Sequence, residues 1–276
     1  MIFSGTTALA GIFGWPISHS RSPRLHGYWL QEHDIDGAYV ALAAPPERIE
    51  DAFRGLSALG FRGANVTIPH KISALKACDT LDDVAARIGA VNTIIVQEDG
   101  SLLGRNTDAF GFLENLHQES DWRGDKGPAV VLGAGGAARA VCVALLDAGA
   151  PEVRITNRTD ARAQALADEF GLTLVPWNDR ADALDGAALV ANATSLGMVG
   201  QPALELSVDA LPKSALVHDI VYTPLETDLL ARARARGNAV VDGLGMLLHQ
   251  GRPGFEAWFG VSPAVTPALR KFVLES

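Results

Sequence analysis

Residues 130–140, VVLGAGGAARA, constrain the fold more than any other stretch of the chain. A β-branched apolar run leads into a glycine turn, and an alanine-rich segment with helical character follows at once. Gly133, Gly135 and Ala138 give the pattern G-x-G-x-x-A, which belongs in a strand–turn–helix unit built to hold a dinucleotide. Gly133 makes the tight turn, Gly135 lets a pyrophosphate approach the backbone, and the helix start offers free N–H groups to phosphate. Alone, such a pattern is also a common structural turn. Here a second strand-like run, VRIT, ends at Thr156, close to the ~20 residues by which the ribose-reading position follows the turn.

The end of that second strand reports on the cofactor. An acid there would accept from a ribose 2′-OH, as NAD sites require. The chain instead reads ITNRTDAR, placing Asn157, Arg158 and Thr159 at the strand end and Arg162 one turn later. Guanidinium groups offer charged donors to a 2′-phosphate, which points to NADP. The competing reading is that Arg158 and Arg162 are solvated surface residues.

Short β-branched runs alternate with helical segments through nearly all 276 residues, the pattern of an α/β protein. Strands are expected near 10–14, 37–42 and 62–67, and helices near 23–33, 46–59, 70–77 and 81–88. AVNTIIVQEDGSLLGRNTD holds two apolar runs joined by Asp99-Gly100, a hairpin signal. Residues 121–128 read as a loop. AALVANATS and ALVHDIVY read as strands buried on both faces of a parallel sheet, and Gly171 should close a helix. In TPLETDLLARARARG, Thr223 is expected to cap a helix, with Pro224 in its first turn and Glu226 completing a capping box. The tail from 243 is helical.

A hydrophobic content of 48% with 20% charged residues fits a water-soluble globular chain. The N-terminal segment is apolar but has no basic residue before Arg21, so it reads as a first strand rather than a secretory signal. The protein is expected to be cytoplasmic. A net charge of −9 argues against nucleic acid and anionic membranes as partners. Cys78 and Cys142 stand in no motif and read as inert thiols on helix faces. No spacing suggests a metal site.

Several polar residues stand where chemistry would need them. In GANVTIPHK, Lys71 falls in the first turn of a short helix, at the positive end of its dipole, where a cation is disfavoured. Its retention there asks for a reason beyond local preference; the plain alternative is a solvated surface lysine. Asp108 in GRNTDAFG stands at a helix start, as a cap or as a carboxylate beside a substrate hydroxyl. Ser22 precedes Pro23 as a cap would, whereas Ser20 has no capping role. Together the two hydroxyls suit a carboxylate. His19 and His26 read as structural. Asn65, Thr67 and Asn92 are expected at strand ends, which line the ligand crevice of open α/β sheets. Helical pattern alone leaves Gln250 on the surface.

GWPISHSRSP, GANVTIPHK, GAVNTI, GRNTDAFG, GAGGAARA, TNRTDAR, NATSLGM and DGLGMLLHQ occur in order across nearly the whole chain. In these motifs the sequence closely resembles the shikimate dehydrogenase family, enzymes that reduce 3-dehydroshikimate with NADPH in aromatic amino-acid biosynthesis. The resemblance implies a discontinuous α/β substrate-binding domain, residues 1–107 with 243–276. It implies a Rossmann-type NADP domain over residues 108–242, with a parallel sheet and catalysis between the two. It makes Lys71 and Asp108 catalytic, gives the substrate carboxylate to Ser20 and Ser22, and gives the ring to Thr67, Lys71, Asn92, Asp108, Tyr222 and Gln250. NADP contacts would come from Gly133, Ala134, Gly135, Gly136, Ala137, Asn157, Arg158, Thr159, Arg162, Ile220 and Gly243. Gly27 departs from relatives with a polar residue after LH. The family resemblance leaves open a monomer or a homodimer, and whether Lys71 donates a proton or only steadies charge. The rival activities are an NAD(P)-dependent quinate/shikimate dehydrogenase and, more distantly, a non-catalytic NADP-binding regulator.

Overall fold

A computed structural model describes residues 3–275. The chain divides into two compact units, one running to Asp108 and resuming at Leu247, the other spanning Ala109–Met246. Both crossings fall inside helices, so they lie slightly past the expected 107/108 and 242/243.

The first unit is built on a mixed sheet. In chain order it holds β1 (Ala8–Gly14), α1 (Ser22–Glu32), β2 (Gly37–Ala43), α2 (Ile49–Ala58), β3 (Phe61–Val66), α3 (Lys71–Ala77), β4 (Thr80–Leu81), α4 (Asp83–Ile88), β5 (Thr93–Val96) and β6 (Leu102–Arg105). The strand order is β2-β1-β3-β5-β6-β4. β1 pairs in parallel with β2 and β3, whereas β5 runs antiparallel to both β3 and β6. Asp99-Gly100 closes the β5–β6 hairpin as expected, with Gly100 at φ +85° and Gln97 N–H bonded to Ser101 O at 2.8 Å. α2 shows why these helices dock: Ile49, Phe53 and Leu56 recur at helical spacing and are buried against Phe13, Ala64 and Val66.

The second unit begins in α5 (Asp108–Glu119). It continues through β7 (Ala129–Leu132), α6 (Gly136–Asp147), β8 (Val153–Thr156), α7 (Asp160–Phe170), β9 (Thr173–Leu174), β10 (Leu189–Asn192), β11 (Leu216–Asp219), α8 (Asp228–Ala235) and β12 (Ala239–Val241). Its sheet is parallel throughout, in the order β12-β11-β10-β7-β8-β9. Gly171 closes α7 in the left-handed region, as expected. α9 (Leu244–Phe259) and α10 (Pro267–Leu274) end the chain. The two- and three-residue strands β4, β9 and β12 carry too little pattern to be read from sequence. Cys142 is buried in α6, but Cys78 is the half-buried residue that ends α3 rather than part of a helix face. Burial pushes both thiols up to about 12.

The expected capping box at Thr223 does not form. α8 starts at Asp228, and Thr227 caps it by accepting from Leu230 N–H. Thr227 is drawn into place by a second bond, from its hydroxyl to Asp219 Oδ2 at 2.7 Å. Asp219 Oδ1 also accepts from Asn192 Nδ2 and from Val221 N–H, each at 3.0 Å. One buried carboxylate therefore joins the ends of β10 and β11 to the start of α8.

Burial outweighs these three bonds and pushes the Asp219 carboxyl up to about 6. Its proton is thus held more tightly in the folded chain than in the unfolded one, so this group's contribution to stability falls as pH rises from about 4 to about 6. Asp219→Asn removes the titration. Between pH 4 and pH 7, wild-type stability should fall relative to that variant by about 1–3 kcal/mol in urea denaturation of the full chain. Parallel pH profiles would show that Asp219 does not titrate this way.

Candidate active site

The polar residues of the first unit gather because its sheet is mixed. β3 ends at Val66, and the antiparallel pairing Asn65↔Thr93 brings the start of β5 to the same edge. Asn92 therefore precedes a strand rather than ending one, and still lies beside the end of β3, its carbonyl accepting from Val66 N–H at 2.8 Å. Asn65 is the fifth residue of β3, and Thr67 follows the strand, half-buried.

α3 begins at Lys71 itself, with His70 at the capping position and Pro69 still outside the helix. Its ammonium group bonds the Asp108 carboxylate, and the two side chains are only 13% and 6% exposed. This excludes the solvated-surface reading of Lys71. Asp108 is the first residue of α5 rather than its cap, and its own N–H is taken by Asn106 Oδ1 at 3.0 Å. The carboxylate is thereby free to serve the lysine.

Asn92 holds this pair from behind. Its amide nitrogen lies 2.8 Å from Asp108 Oδ1, 3.0 Å from Thr107 Oγ1 and 3.3 Å from Gln250 Oε1. Its carbonyl oxygen accepts from Thr107 N–H at 2.8 Å and from the Thr93 hydroxyl at 3.0 Å. Gln250 is buried on α9, not on the surface, and its Nε2 donates to Leu247 O at 3.0 Å. The helical pattern around Gln250 misplaces it because a residue on a helix flank can be covered by a neighbouring strand end.

At the start of α1, Ser22 lies inside the helix and is buried, while Arg21 occupies the capping position without a side-chain bond. Ser22 is therefore no cap. Ser20, expected to have no local role, accepts from Ser22 N–H at 3.3 Å. Both hydroxyls remain at the helix start. Tyr39, Thr93 and Thr107 escaped the sequence reading, although all three are buried in this cluster. The available signal for Tyr39 was its place on the buried face of β2, since a buried phenol needs a hydrogen-bond partner.

In the second unit, Gly133 turns the chain at φ +113°, where a Cβ would lie 2.9 Å from Ala193 O. Gly135 is different: a Cβ there would meet nothing within 4 Å. The fold does not need that glycine, but the open space before the first N–H groups of α6 is the room a pyrophosphate would take. The residues present therefore fit a dinucleotide. Asn157 is half-buried and donates to Thr159 O at 2.9 Å, shaping the turn after β8. Arg158 and Arg162 are exposed, and no carboxylate among the described residues pairs with either. Ile220 and Gly243 lie together, since a Cβ at 243 would run into Ile220 O, and Tyr222 is half-buried just beyond.

Comparison with known proteins covers the chain in three segments. Residues 12–94 match the shikimate dehydrogenase substrate binding domain, 117–220 the shikimate/quinate 5-dehydrogenase family, and 243–270 the shikimate 5′-dehydrogenase C-terminal domain. A shikimate dehydrogenase (NADP(+)) from Rhodospirillum rubrum is 61% identical, with 99% of each chain covered. Shikimate 5-dehydrogenase from Thermus thermophilus, solved with NADP(H) and shikimate, superposes with a TM-score of 0.87 at 40% identity, covering 98% of this chain and 99% of that one. Quinate dehydrogenase from Corynebacterium glutamicum, solved with NAD, gives 0.89 at 30% identity over 98% and 99%.

If Asn92 braces the ion pair as its bonds indicate, Asn92→Ala should destabilise the chain by about 1–3 kcal/mol for each buried group left unpaired. Urea midpoints of the two proteins check this, and coincident midpoints would deny Asn92 that role.

Proposed function

The chain belongs to the shikimate dehydrogenase family, and from that premise we propose that its Lys71–Asp108 pair carries out the reversible reduction of 3-dehydroshikimate to shikimate with NADPH, a step of aromatic amino-acid biosynthesis. The observation that carries this reading is a shielded ammonium held against a carboxylate that is itself braced by Asn92. NADPH, when bound, supplies the hydride.

Reducing a ketone places negative charge on its oxygen, which must also gain a proton. The Lys71 ammonium has three N–H bonds, one of them committed to Asp108. The others can reach the substrate oxygen, where positive charge in a poorly hydrated setting stabilises the developing anion. Lys71 then passes a proton to that oxygen, and the next proton comes from solvent. In the oxidation direction the same amine takes the proton back. Asp108 fixes the ammonium and keeps lone pairs for a neighbouring ring hydroxyl. Thr67, Asn92 and Gln250 supply further polar contacts to the ring. Ser20 and Ser22 donate to the substrate carboxylate at the start of α1.

For the cofactor, Gly133–Ala138 presents backbone N–H groups to the pyrophosphate. Arg158 and Arg162, exposed and without a carboxylate partner among the described residues, bind the 2′-phosphate. Quinate with NAD, the alternative activity, leaves these two arginines without a task. We place the enzyme in the cytoplasm; no described helix is long and apolar enough to cross a membrane.

Lys71→Ala should lower kcat by about 10²-fold or more with a smaller change in KM, as removal of a general acid–base group does. The assay follows NADPH absorbance with shikimate and quinate in parallel, and near-normal turnover by the variant would refute the role. Arg158→Ala should erase much of the preference for NADPH over NADH in kcat/KM. An unchanged ratio would move the 2′-phosphate contact to other residues.

A further inference from the structure

The turn that follows β10 packs directly on the glycine turn of the second unit. A Cβ at Gly133 would lie 2.9 Å from Ala193 O and 3.1 Å from the Thr194 methyl group, so residues 193 and 194 form the wall behind the first glycine of G-x-G-x-x-A. Backbone pairing carries the strand only as far as Ala193, whose N–H bonds Leu132 O at 2.8 Å. Beyond it a side chain takes over. Asn192, the last residue of β10, is fully buried. Its Oδ1 accepts from Thr194 N–H at 3.1 Å and from the Thr194 hydroxyl at 2.7 Å. Its Nδ2 donates to Leu196 O at 3.2 Å. The Thr194 hydroxyl oxygen accepts in turn from Leu196 N–H at 3.0 Å.

The other bond of Asn192 Nδ2 runs, at 3.0 Å, to Asp219 Oδ1, directly opposite on β11. That oxygen also accepts from Val221 N–H, so it presents only lone pairs to Asn192. Both ends demand the same orientation of the amide, with nitrogen toward Asp219 and oxygen toward the Thr194 N–H. An aspartate at 192 would set a second carboxylate against Asp219 and against Leu196 O. An apolar residue would leave Thr194 N–H and Leu196 O without these partners. Leu196, at the far end of the turn, packs against the core cluster that holds Leu132 and Val190. The wall behind Gly133 is therefore fixed by one asparagine, which is itself anchored by a buried carboxylate.

We propose that Asn192 is a positioning residue of the cofactor site: by fixing residues 193–196 it holds the Gly133 turn, and with it the backbone N–H groups that receive the pyrophosphate. The inference rests on the reading above, in which Gly133–Ala138 binds the pyrophosphate while Arg158 and Arg162 bind the 2′-phosphate. Asn192 is buried and acts through its neighbours. Anion-binding N–H groups keep their aim only where the residues behind them are locked in place. The pyrophosphate belongs to NADPH and NADH alike, so Asn192 acts on the affinity for both and not on the choice between them.

Asn192→Ala should raise the Kd for NADPH about tenfold, the effect of one buried hydrogen bond, when the full chain is titrated and nicotinamide fluorescence is read. The ratio of kcat/KM for NADPH to that for NADH should stay within about twofold of wild type, in contrast to Arg158→Ala. Thr194→Val keeps the methyl wall but deletes the hydroxyl, and should raise the same Kd about fivefold. It carries the test by itself if Asn192→Ala does not fold. Val190→Ala opens a cavity in the same strand, on the core side, and controls for loss of stability alone; it should bind NADPH as wild type does. A Kd within about twofold of wild type for Asn192→Ala or Thr194→Val, a shifted cofactor ratio, or an equal loss of affinity in Val190→Ala overturns the inference when wild type binds NADPH. Failure of wild type to bind NADPH in the same titration overturns the functional reading and this inference with it.

Discussion

The site depends on an ion pair that a small protein unit has reason to avoid. Lys71 opens a helix, where the dipole disfavours a cation, and both it and Asp108 are largely withdrawn from water. Desolvating two charges costs several kcal/mol for each ion, and their attraction offsets this only when the remaining lone pairs and protons are also bonded. The Asn92 amide meets that condition on the Asp108 side. The arrangement is a poor source of stability compared with an apolar pair of similar volume. In the proposed reaction its value is chemical, since a fixed ammonium needs no reorientation when charge appears on a neighbouring oxygen.

That condition spreads outward. Serving Asp108 fixes the orientation of Asn92, and Asn92 needs donors on its other side, which Thr93 and the Thr107 backbone supply. The antiparallel β5 makes this possible, because it starts where β3 ends. In an all-parallel sheet Asn92 and Asn65 would stand at opposite edges. The second unit has no such need and keeps a parallel sheet, with its chemistry at the strand ends and helix starts that flank them.

Much of this was legible in the sequence. The glycine turn, the alternation of strands and helices, the Asp99-Gly100 hairpin and the closure of α7 at Gly171 rest on local rules, and the structure follows them. The chain passes between its two compact units inside α5 and α9, where a continuous helix hides a boundary from sequence pattern. Capping failed outright at Thr223, and at Ser22 and Asp108 the capping alternative of two open readings fell away, for one reason: several hydroxyls or carboxylates near a helix start satisfy the same local pattern. Ser22, Asp108 and Thr223 each fit it. Tertiary partners decided otherwise, as when Asp219 recruits Thr227 and Lys71 takes the Asp108 carboxylate. Gln250, Tyr39 and Thr93 were missed or misplaced because their roles come from residues distant in sequence, which periodicity cannot report.

The first unit is closed by residues that follow the whole of the second unit in the chain. Trp258 donates its indole N–H to Ile94 O at 3.1 Å, and Phe255 and Trp258 complete the aromatic cluster around His26. Residues 109–246, which form the other unit, are synthesised in between. At translation speeds of about 5–20 residues per second, the nascent β1–β6 sheet waits about 7–30 s for these packing partners. The nucleotide-binding half can complete its own sheet first, so the order of maturation in the cell runs opposite to the order in which the halves begin.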